Sequence, residues 1–488
     1  MTGRMIMRKL WFFYFVVSFA LAGGCSREPL TAPPAGPDGT ALDTEATAWN
    51  IAATAGWLFE LQTDAAAMAT APATEGGSNC VVGFSRTPLA GDIVHYAWLI
   101  RVGSGEHDVI GLHRVVMETQ PFRPLRTQRN LFFQHGCCKD FAGMTLPGSY
   151  SATTPDDFGF AVYLARNGVD VWGIDQGWTL VSQETTDFDF MASWGVARQM
   201  GDLRIAVTLA RALRQLTGCG DARMILSGYS NGVISSVALV NEETQLPASL
   251  RQVGGYIPID LPIKMEPGLL RDGVTGLVEG YYRPSYEAGQ YQENNSFPPT
   301  AELIRCCVND PSPVPGLTNL QYVLYGMCSP MFGAEASGFH YWAGVFDDNG
   351  VPTGLRYTTL DMWLDFMTAA PPYEPMVWGL EWLSYAAGIS ETPYDDHLGE
   401  ICVPILNVTP AGGFAGATLY GVSLLGSTDK QTLMPGLGLP VMEEVAHIDI
   451  FTAQNAPALV WQPILDWIVS HTMARGNSES AIAAVESN

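Results

Sequence analysis

The residues with the clearest capacity for chemistry are Gly228-Tyr229-Ser230-Asn231-Gly232. An apolar run ending at Leu226-Ser227 precedes them and a small-residue segment follows, so the spacing predicts a strand, a sharp turn and a helix. Glycines on either side let the turn be tight enough to lift the Ser230 hydroxyl off the sheet edge. The next amide, that of Asn231, then points at the reacting oxygen. This chemistry is nucleophilic attack on an acyl carbonyl, and a serine hydroxyl needs a neighbouring base before it can attack at neutral pH.

The chain has eight histidines. His447, in Val445-Ala446-His447-Ile448-Asp449, lies between a late strand and a C-terminal helix, and the order serine then histidine suits this arrangement. His95, His107 and His113 fall in a leading hairpin, His135 in a Gly-containing segment, His340 and His397 in or beside an insertion, and His471 on the last helix. An acid must hold the imidazole tautomer, so it belongs at a strand end near His447. Two candidates stay open. Asp260 ends the run Gly254–Ile259, and Asp429 lies in the loop before His447, while Glu443 and Glu444 are weaker choices. Asp449 is too close to His447 along the chain.

These residues need a scaffold. Short apolar runs at Asn130–Gln134, Val169–Ile174, Arg223–Ser227, Val253–Ile259 and Val403–Val408 read as buried strands. Helical spacing at Asp157–Arg166, Asp202–Leu216 and Asn231–Asn241 separates them. Alternation of this kind predicts an α/β fold with a mostly parallel sheet and helices on both faces. Ligands of such sheets sit at the carboxyl ends of the strands. Before it, two β-rich runs between His95 and Glu118 flank Gly103-Ser104-Gly105-Glu106 and predict a hairpin.

On these motifs the chain resembles the α/β-hydrolase superfamily. Phe132-Phe133-Gln134-His135-Gly136-Cys137-Cys138 looks like its His-Gly oxyanion segment, and Gln-His-Gly is similar to the neutral and acid lipase branch, as is Phe160–Trp172 with its Asp-Val-Trp. The resemblance departs at Gly173-Ile174-Asp175-Gln176-Gly177, where Arg-Gly is common. It implies an esterase or lipase with Ser230 as nucleophile, His447 as base and the amides of Cys137 and Asn231 as oxyanion donors. It also implies that His135, Gly136 and Tyr229 lie beside the substrate. Most members place the acid after the strand assigned to Val403–Val408, but Thr409-Pro410-Ala411-Gly412-Gly413-Phe414 has no carboxylate there. Asp260 matches the variant in which the acid follows the preceding strand.

The predicted organisation is a core over 47–262 and 399–488 with a cap inserted at 263–398. Trp342, Trp363, Trp378, Trp382, Phe332, Phe339, Tyr341 and Phe366 are interspersed there with Gly and Pro, as in a roof over an apolar pocket. The alternative use of these aromatics is to fill the cap's own interior.

Arg4, Arg8 and Lys9 precede an apolar run from Leu10 to Ala22, which has the layout of a secretory leader over 1–24 and is shorter than a bilayer-spanning helix. Leu21-Ala22-Gly23-Gly24-Cys25 resembles a bacterial lipobox. The expectation is a lipid-modified Cys25, a Pro- and Gly-rich tether over 25–46, and a membrane-anchored protein of the bacterial envelope, or else a secreted one. Eight further cysteines permit up to four disulfides in such a compartment. Adjacent Cys306 and Cys307 are expected to take separate partners, with Cys328 one choice.

A net charge of −24 argues against a nucleic-acid partner. Hydrophobic residues at 47% and charged ones at 15% exclude global disorder. No cofactor or metal motif stands out: Gly412-Gly413-Phe414-Ala415-Gly416 lacks the dinucleotide spacing, and there is no phosphate loop. Amide hydrolysis and acyl transfer use the same machinery as ester hydrolysis, and a non-catalytic surface lipoprotein on the same scaffold is the alternative of another class.

Overall fold

The computed structural model describes residues 54–56, 58–59 and 81–472. The leader, Cys25, the tether and Cys80 lie outside them. The sheet is built from β1 (Val81–Pro88), β2 (Ile93–Arg101), β3 (Val109–Gln120), β4 (Asn130–Gln134), β5 (Asp170–Asp175), β6 (Met224–Tyr229), β7 (Val253–Ile259), β8 (Ile405–Val408) and β9 (Lys430–Leu433). Their spatial order is β1-β2-β3-β5-β4-β6-β7-β8-β9, and the short strand Arg123–Pro124 pairs with β3. Strands β1 to β3 run antiparallel and join β5 antiparallel, whereas every pairing from β5 to β9 is parallel.

Strands β4 to β8 are buried along their whole length, because helices cover both faces. The covering helices include α1 (Phe160–Arg166), α2 (Val196–Leu216) and α3 (Gly232–Glu243). Helix α2 starts six residues before the position that apolar spacing predicts. Its first turn, Val196-Ala197-Arg198-Gln199, breaks the apolar spacing, and the Glu381 carboxylate stabilises it from outside by accepting the Val196 amide at 2.6 Å. Strand β9, with its exposed Lys430-Gln431-Thr432, carries no apolar signal and escapes sequence reading.

Between β7 and β8 the chain leaves the sheet for residues 260–404. This segment carries α4 (Leu269–Leu277), α5 (Phe297–Cys307), α6 (Asn319–Cys328), α7 (Leu360–Thr368) and α8 (Met376–Ala387). Two small antiparallel pairs accompany them, Gln292–Asn294 with Tyr373–Pro375 and Gly344–Phe346 with Pro352–Leu355. The Cys306 and Cys307 expectation is corrected here: the two are bonded to each other. Both sit at the outer end of α5, while the Cys328 thiol is fully buried on α6 and free. None of the described helices is long and apolar enough to cross a membrane.

One charged cluster locks the sheet to α2. Asp170, at the start of β5, accepts from Arg114 Nε at 2.8 Å, Arg114 Nη2 at 3.0 Å and Arg214 Nη1 at 2.5 Å. All three side chains are fully buried. Burial alone would raise the Asp170 carboxyl, but the two guanidinium groups overcome it and hold the group below its ordinary value. A depressed carboxylate stabilises the fold above its unfolded pKa, and that contribution is lost as the pH falls through the lower folded value. Asp170→Ala leaves two buried cations uncompensated, so urea unfolding is expected to show a loss of about 3–5 kcal/mol. An unchanged midpoint contradicts the assignment.

Candidate active site

The turn after β6 carries Ser230 at φ 52°, in the left-handed region. Its amide donates to Ile259 O at 2.9 Å, at the end of the neighbouring β7. The flanking glycines are required by space. A Cβ on Gly228 would lie 2.5 Å from Gly232 O, and one on Gly232 would lie 2.9 Å from Gln134 Cγ. Asp260 follows β7 by the same device, at φ 49° with its amide donating to Val408 O at 2.8 Å.

His447 lies between them. Its Nε2 is 3.0 Å from Ser230 Oγ and its Nδ1 is 2.7 Å from Asp260 Oδ2. The Asp260 carboxylate is fully buried, and its other oxygen accepts from Thr409 Oγ1 at 3.1 Å and the Phe414 amide at 2.9 Å. The loop after β8, where a carboxylate is missing, thus supplies donors that hold Asp260 at the end of the strand beside it. Gly413 makes room for this, since a Cβ there would sit 2.5 Å from Asp260 Oδ1.

The other acidic candidates are engaged elsewhere. Asp429 Oδ2 lies 3.1 Å from Nε2 of His471 on the last helix. Glu443 pairs with Arg356 at 2.6 Å, and Glu444 accepts the amides of Leu437 and Leu439. Asp449 accepts from the amides of Ala343 at 2.8 Å and Ala446 at 3.1 Å, tying the His447 segment to the cap.

Among the described residues, the amides of Cys137 and Asn231 are taken by no other protein group, and both residues line the cavity above Ser230. Cys138, at φ 64°, donates its own amide to Glu374 Oε1 across the cavity wall. His135, Gly136 and Tyr229, expected beside the substrate, instead stand behind the site. The His135 ring is spent on protein partners: Nδ1 lies 2.8 Å from Gly136 O, and Nε2 accepts the Gln176 amide at 3.2 Å. Burial lowers its pKa, favouring the neutral ring this pattern needs. Gly136 is in contact with the Ser230 backbone turn, where a Cβ would lie 2.6 Å from Ser230 Cβ. Tyr229 stacks on the His447 ring at 4.7 Å and donates its hydroxyl to His447 O at 3.1 Å.

The departure at Asp175-Gln176 has a physical account. Asp175 accepts from the Phe141 amide at 2.7 Å and pairs with His113 Nε2 at 2.8 Å. His113 in turn meets His95 at 2.9 Å. This second buried His–Asp chain braces the segment that follows Cys137 and Cys138, and its members lie too far apart in sequence to be recognised as a unit.

A cavity of roughly 190 Å³ opens above Ser230. Of the cap aromatics singled out in sequence, Phe332, Phe339, Tyr341 and Trp382 line it. Trp342, Trp363 and Phe366 pack into the interior. Phe339 meets the His447 ring edge-on at 4.9 Å, so the cap shields the imidazole from water. Sequence reading missed Glu293 and Glu374, which also line the cavity, because their relation exists only once two distant segments pair. Burial, then mutual repulsion, pushes Glu293 up to about 8, and burial pushes Glu374 up to about 7.

The thiols of Cys137 and Cys138 and a Glu374 oxygen lie within 4.8 Å of one another, a donor set that could hold a soft divalent cation. The hydrogen bond with the Cys137 thiol, and then burial, push the Cys138 thiol well upward, towards the protonated and non-ligating form.

No family model matches the chain, and no curated protein matches it in sequence. Solved structures do. A candidate lipase from Sulfolobus solfataricus is similar at 16% identity and a TM-score of 0.54, covering 80% of this chain and 99% of that one. A monoglyceride lipase from Saccharomyces cerevisiae is similar at 12% identity and a TM-score of 0.40, covering 82% and 99%. At such identity the first likeness speaks for the fold alone. With the sheet order and the strand-end turns above, the fold is the α/β-hydrolase fold.

The packing of Gly413 on Asp260 makes a local prediction. Gly413→Ala is expected to cost ~1–3 kcal/mol of stability and to displace the carboxylate from His447. NMR should then lose the low-field Nδ1 proton signal of the His447–Asp260 hydrogen bond. Retention of that signal contradicts the described packing.

Proposed function

We propose that the protein is a serine hydrolase that cleaves carboxylic esters through an acyl-enzyme. The observation that carries this reading is the continuous chain from Ser230 Oγ through His447 to Asp260, at 3.0 and 2.7 Å, opening into a cavity with two unengaged amides. Ser230 attacks the ester carbonyl while His447 Nε2 accepts its proton. Asp260 keeps Nδ1 protonated and stabilises the imidazolium that forms. The Cys137 and Asn231 amides receive the developing oxyanion. His447 then returns the proton to the departing alcohol, and water repeats the sequence on the acyl-serine. The predominantly apolar lining, with aromatic side chains from the cap, suits an acyl or alcohol group of modest size.

The reading includes export and attachment. The Arg4–Ala22 leader layout and the Leu21–Cys25 pattern support a lipid anchor on Cys25, and the Pro-rich stretch behind it would let the domain stand off the membrane.

The test is hydrolysis of p-nitrophenyl esters of increasing acyl length. Ser230→Ala is expected to abolish turnover, and Asp260→Asn to lower kcat by about 10⁴-fold through the wrong His447 tautomer. Asp429→Ala, which removes a carboxylate bonded to His471 and not to His447, should leave kcat/KM unchanged. Wild-type rates no higher than those of Ser230→Ala on every ester, acetate to palmitate, would refute the reading and favour a binding scaffold.

A further inference from the structure

Among the described residues, the cavity over Ser230 is lined by two carboxyl groups and by no Lys or Arg. Glu293 and Glu374 are directly opposite each other in the antiparallel pair Gln292–Asn294 with Tyr373–Pro375, so their side chains leave the ribbon on the same face. Each is about nine-tenths buried, with 8% relative exposure. Tyr282 donates its hydroxyl to Glu293 at 3.2 Å, and the Cys138 amide donates to Glu374. Neither carboxyl has a cationic partner in the described residues.

Two facing buried carboxyls without a cation are an unfavourable arrangement, relieved either by retaining a proton or by an incoming positive charge. The rest of the wall favours the second. Tyr282, Trp382, Phe332 and Tyr341 turn aromatic surface towards the same space, and such surface attracts desolvated ammonium groups. An independent feature also calls for a ligand. Asn231 is 2% exposed and lines the cavity, yet its side-chain Nδ2 has no acceptor. The ester's own oxygens, held at Ser230, provide one. The net charge of −24 adds a long-range field that draws cations towards the protein.

We infer that the substrate is an ester that also carries an ammonium group, with Ser230 engaging the carbonyl and the Glu293–Glu374 pair and its aromatic surround receiving the cation. This rests on the esterase reading and specifies its substrate class. Glu293 and Glu374 are specificity residues here: they recognise the charge and do not handle the transferred proton.

The test has two arms. In the first, calorimetry follows tetramethylammonium binding to the Ser230→Ala protein. Saturable binding is expected, weakened roughly tenfold by adding Glu293→Gln or, separately, Glu374→Gln. Absence of binding, or binding that neither substitution weakens, overturns the inference. In the second, wild type is given S-butyrylthiocholine and its uncharged isostere S-(3,3-dimethylbutyl) thiobutyrate. The cationic ester should show a kcat/KM roughly tenfold or more above the neutral one, with the ratio falling towards unity in either Glu→Gln variant. Equal rates, or preference for the neutral ester, overturn the inference while upholding the esterase. Tetramethylammonium binding without turnover of either thioester, or of any p-nitrophenyl ester, upholds the cation pocket and removes the esterase.

Discussion

Two non-glycine residues held in the left-handed backbone region, Ser230 and Asp260, are the constraint on which the site depends. Such a backbone costs of order 1–3 kcal/mol per residue and persists only where its surroundings enforce it. Here the enforcement is a staircase of strand ends. The Ser230 amide bonds to Ile259 O, the Asp260 amide to Val408 O, and the Thr409 amide to Leu433 O. Strands β7, β8 and β9 therefore each fix the first residue past the neighbouring strand, β6, β7 and β8 in turn. Ser230 and Asp260 emerge on adjacent steps, and His447 fits the gap between them at hydrogen-bonding distance from both.

The remaining architecture supports that gap from two sides. Beneath it, the Asp170–Arg114–Arg214 cluster and the His95–His113–Asp175 chain tie β2, β3, β5 and α2 together and hold the segment after Cys137 in place. Above it, the segment between β7 and β8 carries Phe339 against the imidazole, Ala343 with its amide donated to Asp449, and Glu374 bonded to the Cys138 amide. Glu381 of the same segment caps α2. The cap therefore covers the cavity, braces the Cys137–Cys138 turn and is keyed into the core beneath it.

Sequence reading recovered the parts whose signals are local. Asn130–Gln134 and Val253–Ile259 are strands over the same residues that their apolar runs marked, and the serine turn is legible because its glycines are sterically compulsory. Choosing between Asp260 and Asp429 needed the third dimension. Both precede His447, and only the strand order shows that Asp260 shares its site while Asp429 faces His471. His135 and Tyr229 were misplaced because a motif gives proximity to the nucleophile without saying which side of the sheet edge a side chain takes. The Glu293–Glu374 pairing, 81 residues apart, has no local signature, while the adjacency of Cys306 and Cys307 is plain in the sequence and their bond to each other is not.

The central claim is that His447 and Asp260 make Ser230 a nucleophile. It is tested most directly by treating the protein with a fluorophosphonate and mapping the adduct by mass spectrometry. The account predicts one stoichiometric adduct, on Ser230, with the rate collapsing in His447→Ala. No adduct on Ser230, or one that forms equally fast without His447, would contradict it.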